Sequence, residues 1–442
     1  MHQPDILIHG ATIVTVDENF TIVKRGAVAI TAGRIDKVWS PASGETLPCA
    51  RESLDASGAI VMPGLVNAHT HLPMSLFRGL ADDMALHQWL HDHMFPAEAR
   101  YITERNVVAA TRLSLAEMLL GGTTACCDGY FLSHHIAKAV EKSGMRALLG
   151  QGVIDFPAPG VPDPDRNVAE AEAFVRQWRR RSPLIRPSIF CHSPYACCAQ
   201  TLRAAKAAAN AEGLCFQIHV AETQSEVRQC QKEHGCSPPA YLQRLGILDE
   251  KTILIHMVWA DGDDIRRVAD SGATIAHCPE SNMKLASGVA PIPDFLEAGI
   301  TVGLGTDGCA SNNDLSLFGE MDTAAKLHKV QRLDPTVLDA ATVVRMATMH
   351  GARIMGLDQE IGSLAAGKQA DLIIVDTQRP HLTPIYNPAS HLVYAATAAD
   401  VRHVLIGGRW VVRHRQLLTM DLRAVLREAA RLGRAIGQGA PC

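Results

Sequence analysis

A chain of 442 residues has room for a barrel of roughly 300 residues and a smaller module beside it. Hydrophobic residues make up 47% and charged residues 20%, enough for an ordinary core without disulfide staples or repeats. A net charge of -4 excludes the basic footprint of a nucleic-acid binder, and no uninterrupted apolar run reaches the ~18 residues of a membrane helix.

Strand-like runs come first, at 5–14, 27–30 and 34–39, the last entered through an Ala32-Gly33 turn. The opening MHQPDILIHG lacks the basic start and continuous apolar stretch of a signal peptide. The twelve cysteines form no C-x2-C pair, and most sit in apolar segments, Cys215 and Cys278 among them, where a thiol acts as a small hydrophobe. A cytoplasmic protein is expected.

The middle of the chain alternates. Apolar runs at 60–66, 123–127, 147–154, 187–191, 215–220, 252–256, 273–277 and 300–304 are separated by amphipathic stretches such as 104–120, 199–212, 225–245 and 261–269. This α/β pattern predicts a closed, parallel (β/α)8 barrel of the TIM type over residues 61–360. An open doubly wound sheet would carry a Gly-rich phosphate turn after its first strand, and the chain has none. The run Arg179-Arg180-Arg181 after Trp178 reads as a solvated helix end.

Strand signals return at 370–375, 401–406 and 409–412, the last two facing each other across Gly407-Gly408. Residues 1–60 and 361–442 are therefore expected to form one discontinuous β-sandwich domain, with an Arg-rich surface helix over 422–436.

Polar residues fall where barrel strands end, the face on which such folds gather their chemistry. His69-Thr70-His71 follows the first run, His192 the fourth, His219 and Glu222 the fifth; His256, His277 and Asp307 mark the sixth to eighth. Singly, each has a plainer reading: a surface H-x-H, a hydrogen-bonded core histidine, a turn aspartate between glycines. Jointly, His69, His71, His219 and Asp307 make three imidazoles and a carboxylate, a donor set suited to a borderline divalent cation. In an extended segment the two imidazoles of H-x-H point the same way, as chelation needs.

Three segments resemble the amidohydrolase superfamily: Pro63-Gly64-Leu65-Val66-Asn67-Ala68-His69-Thr70-His71, His219-Val220-Ala221-Glu222-Thr223 and Gly305-Thr306-Asp307-Gly308. Further runs, Leu76-Phe77-Arg78-Gly79-Leu80-Ala81-Asp82-Asp83, His277-Cys278-Pro279-Glu280-Ser281-Asn282 and Ala310-Ser311-Asn312-Asn313, are similar to its 5'-methylthioadenosine/S-adenosylhomocysteine deaminase group, near the triazine hydrolases. The resemblance spans nearly the whole chain. It implies one metal, with Zn2+ the expected ion and Fe2+ the alternative. Independently, the stretch Cys191-His192-Ser193-Pro194-Tyr195 offers no bridging lysine, and the next lysine, Lys206, lies in a helical run.

The resemblance implies hydrolytic deamination of an adenosine derivative. Glu222 would protonate the purine ring nitrogen, Asp307 would bind metal and accept a proton from the attacking water, and His256 would hold that water. It places Trp89 as an aromatic wall, Glu98 on the ribose hydroxyls and His192 against the nucleoside, and leaves His277 between pocket and packing. One departure is Gln151, where some members carry an arginine for the 5' substituent. The alternative is an aminohydrolase or chlorohydrolase acting on a triazine or a free purine base. The expected partners are a small nucleoside substrate and further copies of the chain in a homo-oligomer, with no nucleic acid and no membrane.

Overall fold

The structure, a computed structural model, describes residues 3–440. Two compact units are present: residues up to Asn67 with Ala116–Ala125 and Ser316–Asp421, and Ala68–Leu115 with Cys126–Leu315 and the residues from Leu422 onward.

Both chain ends contribute to a mixed nine-stranded sheet. Ile6–Val14 pairs antiparallel with Ile22–Thr31 and parallel with Glu52–Asp55 and Ala59–Pro63. Ala59–Pro63 in turn pairs antiparallel with Leu372–Asp376 from the far end of the chain. Inward residues of these strands, Ile8, Ile13, Val28, Ile30, Leu372 and Ile374 among them, share one apolar core. The expected hairpin joins Val401–Ile406 to Arg409–Arg413 through Gly407 and Gly408, both at positive φ (56° and 70°), the twist a two-residue hairpin turn requires.

The eight-stranded sheet is wholly parallel and follows sequence order. Its strands are Leu65–Thr70, Thr123–Tyr130, Arg146–Val153, Ile185–Cys191, Phe216–Val220, Thr252–His256, Thr274–His277 and Val302–Leu304. Six of them are buried along their whole length, which is why they read as continuous apolar runs rather than alternating ones. A parallel bridge between Thr70 and Asp307 brings the segment after the eighth strand back to the first, closing the barrel.

Two expectations shift in position. The run at 60–66 is divided at Gly64: its first part belongs to the mixed sheet, and the barrel starts at Leu65. A side chain at Gly64 would put its Cβ 2.1 Å from Thr124 Oγ1, so the chain can pass from one sheet to the other there only as glycine. The amphipathic stretch at 225–245 is two helices, Gln224–His234 and Pro238–Arg244, separated by left-handed Gly235 and restarted by Ser237 as N-cap. Among the described residues no helix is long and apolar enough to cross a membrane.

Candidate metal centre and catalytic cavity

His69 lies in the first barrel strand and His71 just beyond it; His219 is the penultimate residue of the fifth strand, and Asp307 follows the eighth. All four are buried, and one ligand atom from each falls within 4.8 Å of the others. His219 Nε2 is 3.2 Å from His69 Nε2, and Asp307 Oδ1 is 3.3 Å from the Nε2 atoms of both His69 and His71. A tetrahedral cation with bonds of ~2.0–2.1 Å spaces its ligand atoms ~3.3 Å apart, so the donor set fits one ion.

The surroundings hold these ligands in the correct orientation. His71 Nδ1 is 2.6 Å from the Gly129 carbonyl; donating there leaves the Nε2 lone pair for a cation. Asp307 Oδ2 accepts from the hydroxyls of Ser281 (2.7 Å) and Ser311 (2.9 Å), and Oδ1 from the Gly308 N–H at 2.8 Å. Burial alone would raise the Asp307 pKa, but the hydrogen bond to His69 and the His71 charge outweigh it and keep the carboxyl well below its usual range. Burial lowers His69, His219 and His256, and takes His71 to about 4, so the imidazoles are neutral and able to ligate. Beneath them lies Phe190, its ring centroid 5.2 Å from that of His219 and 5.8 Å from that of His71.

The backbone is strained around this centre. Ala221, His256, Met257 and Asp307 all have positive φ (52°, 75°, 49° and 59°), conformations that non-glycine residues keep only when their surroundings hold them.

A cavity opens over the centre. Trp89, Glu98, His192, Glu222 and His256 line it together with the candidate ligands His71, His219 and Asp307, while His69 is fully buried and is not one of its lining residues. Glu222 Oε1 accepts from Ser287 Oγ at 3.4 Å, and Oε2 lies 3.7 Å from His256 Nε2. Burial, with the Asp307 charge, pushes Glu222 up to about 8, leaving it protonated at neutral pH. His256 Nδ1 accepts a hydrogen bond from the Asn282 amide (3.1 Å), so the ring's own proton sits on Nε2, toward Glu222. Glu98 receives the Tyr130 hydroxyl at 2.5 Å, and burial raises its pKa to about 7. Trp89 is fixed by its indole N–H, which donates to the Ala81 carbonyl at 3.1 Å.

His277 is buried and its carbonyl accepts the Gly305 N–H at 2.8 Å, but it is not one of the cavity-lining residues. Gln151 is buried too and turned away, its Oε1 accepting the Ser133 N–H at 3.1 Å. Lys206 is remote from the cavity, paired with Asp249 at 2.6 Å, so no lysine reaches the centre after the fourth strand.

The amidohydrolase family profile matches residues 60–411. The chain belongs to the amidohydrolase family. Over 437 residues this amidohydrolase is 46% identical to a 5-methylthioadenosine/S-adenosylhomocysteine deaminase of Syntrophobacter fumaroxidans, covering 98% of this chain and 99% of that protein. It is 40% identical to a 5'-deoxyadenosine deaminase of Methanosarcina mazei, with 96% of each chain covered. A crystal structure of an adenosine deaminase from Xanthomonas campestris with bound zinc superposes with a TM-score of 0.96 at 37% identity, covering 99% of each chain.

Several residues of this amidohydrolase's site carry no role in the sequence reading. Ser281, Asn282 and Ser311 sit in the family-like runs, yet only their contacts with Asp307 and His256 give them a purpose. Tyr130 ends the second barrel strand, so the strand-end rule that found the histidines could also have found it. Phe190 left no signal, because an aromatic in an apolar strand reads as core.

Proposed function

We propose that this amidohydrolase deaminates the adenine ring of an adenosine derivative (5'-methylthioadenosine, S-adenosylhomocysteine, 5'-deoxyadenosine or adenosine) to the inosine analogue and ammonia. The observation that carries the reading is the pairing, in one cavity, of a metal-type donor set with a protonated Glu222 at one side and a buried Glu98 at another. The names of the deaminase relatives support the same substrate class. Zn2+ is the proposed ion.

A cation at His69, His71, His219 and Asp307, when bound, lowers the pKa of a coordinated water toward ~7. Glu222 donates its proton to the ring nitrogen beside the carbon that loses its amino group. Asp307 accepts a proton from the attacking water and passes it to the amino group, which leaves as ammonia. The remaining hydroxyl proton returns to Glu222, and the His256 Nε2–H fixes the water in place. Proton transfer from a positioned group of this kind contributes ~10²–10⁴ in rate. Trp89 forms a wall for the base, His192 meets the nucleoside, and Glu98 accepts the ribose hydroxyls. A carboxylate in the Glu98 position has nothing to bind on a sugarless ring, which favours a nucleoside over a triazine or free base.

The test is turnover by metal-loaded protein of a panel of adenosine derivatives and free heterocycles, followed by loss of adenine absorbance and release of ammonia. Glu98→Ala is expected to lower kcat/KM for the nucleosides by at least tenfold more than for any free base. Turnover of a triazine or free base, with none of the adenosine derivatives, would overturn the reading.

A further inference from the structure

The proposed chemistry makes no use of one buried carboxylate near the centre, that of Glu226, only 6% exposed. Its Oε1 accepts the backbone N–H of Ala221 at 2.8 Å, and its Oε2 accepts that of Glu222, also at 2.8 Å. Its own backbone N–H is bonded by Thr223 Oγ1 at 3.2 Å, the N-cap of the helix Gln224–His234.

In an ordinary capping box the third helical residue reaches back to the N–H of the cap itself. Here the carboxylate reaches past Thr223 to the two residues before it. What it fixes is therefore the bend after the fifth barrel strand rather than the start of the helix alone. Ala221 sits at that bend with φ at 52°, a left-handed conformation that a residue with a Cβ keeps only under restraint. Two hydrogen bonds from consecutive N–H groups, one to each oxygen of a single buried carboxyl, supply such a restraint. Beyond the bend, the Glu222 side chain meets Ser287 Oγ at 3.4 Å and His256 Nε2 at 3.7 Å. Those longer contacts set its direction only if its backbone is already fixed.

We propose that Glu226 is a positioning residue: its forked carboxylate fixes the Ala221–Glu222 backbone so that the Glu222 carboxyl faces the reacting ring. The inference rests on the role given to Glu222 above.

Glu226→Gln keeps the volume but leaves one acceptor oxygen for two donors. In metal-loaded protein it is expected to lower kcat by about tenfold to hundredfold, the cost of a small misplacement, with KM within about threefold and metal content unchanged. In a Glu222→Gln background the same change should cost nothing more, because the group it positions is already disabled. Amide hydrogen exchange at Ala221 and Glu222 should be slow in the wild type and fast in Glu226→Gln. Unchanged kcat, or equal losses in both backgrounds, overturns the proposal. Should the Gln variant not fold, rapid exchange of those two amides in the wild type overturns it instead. Exchange is read without substrate, so a wild type that turns over no adenosine derivative would overturn the functional reading and leave the exchange result to decide the positioning role.

Discussion

Asp307 meets His69 twice: its backbone N–H donates to the His69 carbonyl at 3.0 Å, and its Oδ1 lies 3.3 Å from His69 Nε2. The same two residues close the barrel and build the metal centre, so the donor set depends on the fold's last strand contact.

Removal of the cation is therefore expected to abolish turnover and lower the melting temperature. Binding at a hundredfold excess over Kd stabilises by ~2.7 kcal/mol, and adding Zn2+ back should restore both properties at one ion per chain. A second tightly held equivalent would contradict the single-ion site. The metal-free protein should also be acid-sensitive. Burial holds His71 at about 4 and His192 at about 3, against 6.5 for an ordinary histidine. Below pH 6.5 the unfolded chain binds protons that the folded form refuses, so stability is complete above that pH and falls as pH drops toward 4. Melting curves across that range check it.

Glu222 gives the opposite limb. A carboxyl that must donate its proton works below its own pKa, and burial places Glu222 at about 8. A cation at neighbouring His219 pulls that value down. The logarithm of kcat/KM should therefore fall on the alkaline side with a midpoint at or below about 8. Glu222→Gln should lose ~10²–10⁴ in kcat and this limb with it, yet keep its metal, because Glu222 is outside the donor set. A variant that lost its ion would reassign Glu222 as a ligand.

How much of this was legible follows from which signals are periodic. The barrel strands announce themselves because burial on both faces makes each a continuous apolar run, and His69, His219 and Asp307 stand out as polar residues at their ends. The division at Gly64 was not legible: an apolar run cannot reveal that its two halves hydrogen-bond in different sheets, which only the packing of Thr124 against Gly64 decides. Ser281, Asn282 and Glu226 escaped for another reason. Their roles are contacts with residues already identified, and a sequence shows which groups exist without showing which oxygen faces which nitrogen.

Asn282 is a case where one atom decides. Its amide nitrogen donates to His256 Nδ1 at 3.1 Å and so places the ring proton on Nε2, facing the cavity. Asn282→Asp replaces that donor by an acceptor, which draws the proton to Nδ1 and leaves Nε2 unable to donate to the water. A tautomer reversal in a serine protease triad costs ~10⁴ in kcat, and at least ~tenfold is expected here, with metal content unchanged. Asn282→Gln, which can still donate, should recover part of the loss. Wild-type kcat in Asn282→Asp would show that the His256 proton is not used.

The join between Asp307 and His69 also predicts how the site fails at a distance from any ligand atom. Gly305 precedes Asp307 by two residues, and a Cβ there would lie 2.8 Å from His69 N, 2.9 Å from its Cβ and 3.0 Å from its carbonyl oxygen. Two of those three atoms are backbone, so no rotamer change relieves the contact. Gly305→Ala must instead move the first strand away from the eighth, at a cost of about 1–3 kcal/mol for overpacking. Because His69 is the residue displaced, metal affinity should fall along with melting temperature. Adding excess Zn2+ should restore activity only in part, since a displaced backbone keeps the Nε2 atoms from their ~3.3 Å spacing. Titration of the variant with Zn2+, read by activity and by melting temperature, separates the two effects: full recovery at high metal would mean the strands move without disturbing the donor set.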